Sequence, residues 1–184
     1  MDFVPVADSD AWLVRPVVHG DARGSFCRTW CEASFRERGI AFRPVQGNSS
    51  LTRRRGTVRG MHFQRAPHAD AKLVRCSQGR IHDVIVDLRP ASPQRGRHYA
   101  TVLDARAPAL LFVPAGFAHG FQALSDGVLV EYLMGEAYQP GLYDGFRHDD
   151  PAVGIAWPLP VAALSEGDAG WPPLAARYPW LGRR

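Results

Sequence analysis

The chain has 184 residues, enough for one domain and not for two, and its 46% hydrophobic and 22% charged residues exclude disordered and fibrous classes. A formal net charge of +4 favours an anionic partner without separating a phosphorylated small molecule from nucleic acid. With 18 Gly and 15 Pro, turns are frequent, which argues for many short strands rather than a helical bundle.

The N-terminal MDFVPVADSD lacks both a basic and an apolar leader region, and no apolar run approaches the ~18–20 residues that cross a bilayer. The sequence therefore predicts a cytoplasmic protein without a membrane partner. WLVRPVVHGD (12–21) reads as a strand ending in a Gly-Asp turn, and SFCRTW (25–30) as a second strand after the turn DARG. CEASFRER (31–38) has no Gly, Pro or β-branched residue and stops at Gly39, the pattern of a short helix. From Thr57 the pattern is one of strands: TVRGMHFQ, AKLVRCSQ, RIHDVIVDLR, HYATVLD (98–104), ALLFVP (109–114), GFQAL (120–124) and GVLVEYLM (127–134). Gly, Pro or polar residues close each one, as in a sandwich or barrel. Between 80 and 88 the period is two: His82, Val84, Val86 and Leu88 share one face, while Ile81, Asp83, Ile85 and Asp87 share the other. After Tyr138 the chain turns rich in Pro, Gly, Trp and Asp, which predicts ordered irregular structure wrapped on the barrel; residues 171–184 read as an arm or extension.

Cys27, Cys31 and Cys76 are odd in number and have no CxxC spacing, so neither a disulfide framework nor a thiolate zinc site is expected. VPAGFAHGF (113–121) has the P-x-G-x-x-H form that joins strands in small jelly rolls, with Gly116 at the turn and His119 pointing inward. In RGMHFQ (59–64), His62 and Gln64 share a strand face. Gln64 stands where a metal-binding jelly roll would want a second imidazole, and Lys72 where it would want a carboxylate, so no metal is expected. Lys72 is the only lysine among 22 basic residues. A histidine of near-neutral pKa oriented by a carboxylate can take a proton, and a compact ammonium can hold the oxyanion left on a neighbouring carbonyl. His62, Lys72, His119 and Tyr132 in one pocket would suit proton transfer; a snorkelling surface lysine remains the other reading of Lys72.

These motifs, in order and at these separations, resemble the dTDP-4-dehydrorhamnose 3,5-epimerases, metal-free nucleotide-sugar epimerases of the cupin superfamily. The resemblance runs through HGDARGSF (19–26), VQGNSS (45–50), RRGTVRGMHFQ, PHADAKLVRCSQGRIHDVIVDLRPASPQRG, VPAGFAHGFQAL, DDPAVGIAWPL and LSEGD (164–168). It implies an all-β, double-stranded β-helix (cupin jelly roll) with a few short helices. It also implies one domain over 1–184, with a core at about 12–160 and a C-terminal segment, 161–184, that carries Asp168. His62 then matches the base, Asp168 its partner carboxylate, Lys72 the holder of the C4 enolate oxygen, and Tyr132 the opposite-face proton donor. Arg23 and Phe26, together with Gln46, Asn48, Arg59 and Tyr138, match ligands of the nucleotide and diphosphate, and His119 a residue beside the sugar. The implied partners are a nucleotide-diphosphate sugar and a second copy of the chain, with no cofactor.

Structural readings stand beside these roles. Ser165 and Asp168 form an S-x-x-D capping pattern, Tyr132 and Tyr138 could be core tyrosines, and Arg59 could pair with a carboxylate. The chain also departs from the family where Ala22, Ser25 and Arg28 replace common residues of the first motif, at Tyr143 where Glu often lies, and at His148 where Trp is common. A C3-only epimerase, a 3,4-ketoisomerase or a non-catalytic sugar-nucleotide binding module are the alternatives these changes leave. Nucleic-acid binding through the RRRG run (53–56) ranks last, since three arginines make a small patch.

Overall fold

Pro16 has no N–H to give a sheet, and it divides the expected 12–21 run into two strands that join different sheets. The computed structural model describes residues 1–182, and Arg183 and Arg184, the end of the expected arm, lie outside them. In chain order the strands are β1 (Asp2–Pro5), β2 (Trp12–Arg15), β3 (Val18–Asp21), β4 (Gly24–Cys27), β5 (Gln46–Thr52), β6 (Val58–Gln64), β7 (Lys72–Gln78), β8 (Arg80–Asp87), β9 (His98–Asp104), β10 (Leu110–Val113), β11 (Phe117–Ala123), β12 (Val128–Met134) and β13 (Tyr143–Gly145). The short helices are α1 (Glu32–Glu37), α2 (Glu166–Gly170) and α3 (Leu174–Arg177).

Two antiparallel sheets, ordered β1-β2-β10-β7-β12-β5 and β13-β6-β11-β8-β9, make the double sheet of a jelly roll, and β3 and β4 form a separate ribbon. The first sheet begins before residue 12, because β1 pairs along the whole of β2. Between the sheets lie Val74, Leu111, Val113, Val128 and Val130 from one and Ile81, Ile85, Leu103, Phe117 and Phe121 from the other. The outer face of the first sheet is covered by α1, whose Phe35 is fully buried against Phe3, Phe42 and Phe112. Burying such a ring stabilises the fold by about 1.5–3 kcal/mol.

Strand β8 is buried on both faces, which explains its nearly continuous apolar run. Ile81 and Ile85 face the other sheet, while Val84, Val86 and Leu88 belong to an outer cluster with Met61, Phe63, Phe146 and Leu174. That outer cluster corrects the reading of an arm or extension over residues 171–182. Leu174 is fully buried, and Tyr178 and Trp180 pack beside it on the outer face of β6 and β8. Arg177 adds contacts to Asp144 and to the Gly145 carbonyl, and the Tyr178 hydroxyl donates to Asp144 at 3.1 Å. An apolar sheet face of this size needs a cover, and the C-terminal segment supplies it.

Candidate active site

The two sheets part at one end around a cavity of about 770 Å³. Its walls follow from register. On the first sheet Tyr132 pairs with Asn48 and Met134 with Gln46 and Lys72, so Gln46, Asn48, Lys72, Tyr132 and Met134 share the inward face. On the second sheet His62 pairs with His119 and with Gly145, so His62, Gln64, His119 and Tyr143 line the facing wall. His62 and Tyr132 therefore stand on opposite sheets of one cavity, and Lys72 opens into the same space.

Arg59 lines the cavity with His62 although three residues separate them, which simple alternation forbids. Strand β6 carries one extra residue here: His119 and Phe121, two apart on β11, face His62 and Arg59, three apart on β6. Gly60 makes this fit, with φ of +126° and a hypothetical Cβ only 2.6 Å from the Gly120 Cα.

The carboxylate of Asp168 arrives from far along the chain. Ala163 lies beside Thr57 at the start of β6, and its carbonyl accepts from Val58 N–H at 3.1 Å. Ser165 then caps α2, its hydroxyl accepting from Asp168 N–H at 3.0 Å. The capping pattern and the partner-carboxylate role are thus compatible, because the cap takes the Asp168 backbone N–H while the carboxylate reaches His62. Asp168 Oδ1 lies 2.6 Å from His62 Nε2, and Oδ2 accepts from Gly60 N–H at 3.2 Å. Burial pushes the Asp168 carboxyl up, but the bonds from His62, Gly60 and Ser165 outweigh it and hold the carboxyl below its usual range.

Across the cavity, burial raises the Tyr132 phenol above its ordinary value, with Arg59 partly offsetting it. Lys72 is buried, 7% exposed, and its ammonium bonds to Asp70. His119 Nε2 lies 3.0 Å from both oxygens of Asp83, which is fully buried. Arg59 is held not by a carboxylate but by Thr52 Oγ1 at 2.9 Å and the Leu51 carbonyl at 3.1 Å. Gln46 accepts from Tyr138 N–H at 3.0 Å, which sets half-exposed Tyr138 at the mouth.

Of the eleven expected site residues, nine line this cavity: His62, Asp168, Lys72, Tyr132, Gln46, Asn48, Arg59, His119 and Tyr138. Arg23 and Phe26 do not. They sit on the β3–β4 ribbon and line a separate hollow, with Phe26 69% exposed and Arg23 paired to its neighbour Asp21. Tyr143 does reach the cavity, its ring centroid 5.4 Å from that of His62 and 5.7 Å from that of Tyr138. Burial, then the nearby Asp168, raises its phenol. Asp70 and Trp171 also line the cavity and were missed. The sequence signal for Asp70 was present, a carboxylate two residues before the only lysine. Among the described residues no group of three or more His, Cys, Asp or Glu could hold a metal ion.

The sequence model of the dTDP-4-dehydrorhamnose 3,5-epimerase family matches residues 6–176. The dTDP-4-dehydrorhamnose 3,5-epimerase of Sinorhizobium fredii is 41% identical over 175 residues, covering 95% of this chain and 90% of the relative. A crystal structure of the Bacillus anthracis enzyme of that name, with TDP and PPi bound, superposes with a TM-score of 0.91 at 36% identity, over 94% of this chain and 99% of the other. That of the Legionella pneumophila dTDP-6-deoxy-D-glucose-3,5-epimerase in complex with dTDP-4-keto-L-rhamnose gives 0.91 at 31% identity, over 98% and 96%.

Proposed function

The chain belongs to the dTDP-4-dehydrorhamnose 3,5-epimerase family, and from that membership we propose how its own residues carry out the epimerisation. It is an isomerase that inverts carbons flanking the ketone of a nucleotide-linked 4-keto-6-deoxy sugar. The base is His62, oriented by Asp168. It removes a proton from the carbon next to the C4 carbonyl, and the electron pair moves to the carbonyl oxygen as an enolate. Lys72 donates to that oxygen. Tyr132 returns a proton to the same carbon from the other face, and the centre is inverted. The observation that carries this reading is the 2.6 Å His62–Asp168 pair on one wall of a cavity whose opposite wall holds Tyr132.

An α-proton of a ketone is weakly acidic, so the enolate needs several kcal/mol of stabilisation, which a buried ammonium supplies at about 332/(εr) with ε well below 80. An imidazole whose Nε2 is tied to a carboxylate has its tautomer fixed, with Nδ1 left as the acceptor for the proton. Gln46, Asn48, Arg59 and Tyr138 line the outer cavity and serve the nucleotide diphosphate, and His119, oriented by Asp83, serves the sugar.

Arg23 and Phe26 fit this scheme in a homodimer. The ribbon that carries them projects Phe26 and Val18 as exposed apolar side chains, and Leu51 on β5 is exposed as well. In the proposed dimer the ribbon of each copy reaches the nucleotide end of the other's cavity.

The test is an NMR time course with dTDP-4-keto-6-deoxyglucose in heavy water. Deuterium entering at C3, at C5 or at both, with the carbonyl still at C4, supports the scheme and shows which centres are inverted. A carbonyl that moves to C3 indicates the ketoisomerase, and binding without exchange indicates a module that binds and does not turn over.

A further inference from the structure

Asp70 is a carboxylate only 2% exposed in the cavity wall, and the scheme above leaves it without a task. Its Oδ2 bonds to the Lys72 ammonium, and its Oδ1 accepts from Gln64 N–H at 3.1 Å. Gln64 is itself fixed, its side chain donating to the His68 and Ala137 carbonyls at 2.6 and 3.1 Å and accepting from Gln139 N–H at 2.8 Å. Gln64 also lies two residues from His62 on the same face of β6. Asp70 thus ties the ammonium on the first sheet to the strand that carries the base on the second.

We propose that Asp70 is a positioning residue for the epimerisation, holding the Lys72 ammonium aimed at the enolate oxygen at a fixed distance from His62; this rests on the catalytic reading given above. A buried ammonium needs a counter-charge and hydrogen-bond acceptors to offset its lost hydration. Among the described residues Lys72 bonds to Asp70 alone. The carboxylate also acts in the opposite sense, since its negative charge repels the enolate. Distance decides between the two effects. An ammonium has three N–H groups, so one given to Asp70 leaves two for the substrate, and an enolate oxygen bonded to them lies nearer to Nζ than to the carboxylate. An ammonium that swings away from the enolate loses the attraction altogether, whereas Asp70 offsets only part of it.

Asp70→Asn tests this in the full chain. The amide has the same size, and with its oxygen still accepting from Gln64 N–H its NH2 faces the ammonium, so the charge and the hydrogen bond to Lys72 are lost together while the tie to β6 is kept. The expected result is a fall in kcat and in solvent exchange of about tenfold to a hundredfold, somewhat less than loss of an oxyanion donor outright. The KM for the keto-sugar and the affinity for TDP by calorimetry stay within about twofold, because the nucleotide ligands are untouched, and Asp70→Glu restores part of kcat. Turnover by Asp70→Asn at or above the unaltered rate overturns the proposal, as does a loss of TDP affinity that matches the loss of kcat. Absence of exchange in the unaltered enzyme overturns the catalytic reading itself, so the two failures are distinguishable.

Discussion

His62 Nε2 and Asp168 Oδ1 meet at 2.6 Å across 106 residues of chain. The contact exists because Ala163 docks beside the start of β6 and Ser165 caps the turn that follows. An imidazole tied in this way presents one nitrogen to the substrate and has a carboxylate ready for the imidazolium that forms. In Asp168→Asn the amide can donate to His62 and leave the wrong tautomer facing the sugar. We expect kcat to fall by about 10²- to 10⁴-fold with KM little changed. Initial rates of deuterium uptake measured by NMR check this, and a loss under threefold would remove Asp168 from the mechanism.

The same carboxylate makes folding depend on acid. Its folded-state pKa is depressed, so the unfolded chain holds the proton more tightly, and the stabilisation is fully present above the unfolded value of about 3.9. It is lost as the pH falls through the folded value. Urea unfolding at pH 7 should therefore show Asp168→Asn less stable than the unaltered chain, and the gap should shrink below about pH 4. A gap that widens in acid would contradict a carboxylate stabilised by His62 and Gly60.

Tyr132 is the proposed proton donor on the opposite wall. Burial keeps its phenol protonated beyond the ordinary value of about 10, so it can give a proton throughout the neutral range. Tyr132→Phe removes the donor and keeps the ring. Exchange at the carbon beside His62 should persist, since abstraction does not need the phenol, while inversion drops by about 10²-fold or more. Isotope position and configuration read in one NMR series separate the two events; equal loss of both would assign Tyr132 to binding instead.

The strands from Thr57 to Met134 were legible because apolar alternation and punctuation carry them. Strand β5, QGNSSLT, was not: it is polar and forms because β12 supplies a partner at every residue from Gln46 to Thr52. Strand β13 has three residues, too few for any period. The Pro- and Trp-rich C-terminal segment hid a cover, since only the uncovered face of β6 and β8 shows why Leu174 must be buried. Strand pattern and the lone lysine pointed to His62 and Lys72, and the resemblance added Asp168, yet nothing local to 168 points to 62, and the bulge that turns Arg59 inward exists only in the pairing of β6 with β11. Asp70 went unread for a physical reason: an acid in a loop two residues before a lysine is usually solvated, and here the pair is enclosed.

Gly145 offers a test of how tightly the base wall is built. It pairs with His62, and the Trp171 ring lies so close that an added Cβ would be 2.5 Å from its Cε2 and 2.7 Å from the Met61 carbonyl oxygen. The carbonyl belongs to β6 and cannot step aside, so Gly145→Ala must push β13 away from β6. Overpacking of this kind costs about 1–3 kcal/mol, or roughly 2–4 °C of Tm per kcal/mol in a domain of this size. Because Tyr143 rides on the same strand against His62, the shift also reaches the proposed base, and a displacement near 1 Å can lower kcat by as much as about 10²-fold. Gly141→Ala, where nothing lies within 4 Å of an added Cβ, is the control and should leave both values unchanged. Differential scanning calorimetry and the exchange assay read the two effects, and a Gly145→Ala enzyme with full Tm and full kcat would show that β13 does not hold the base in place.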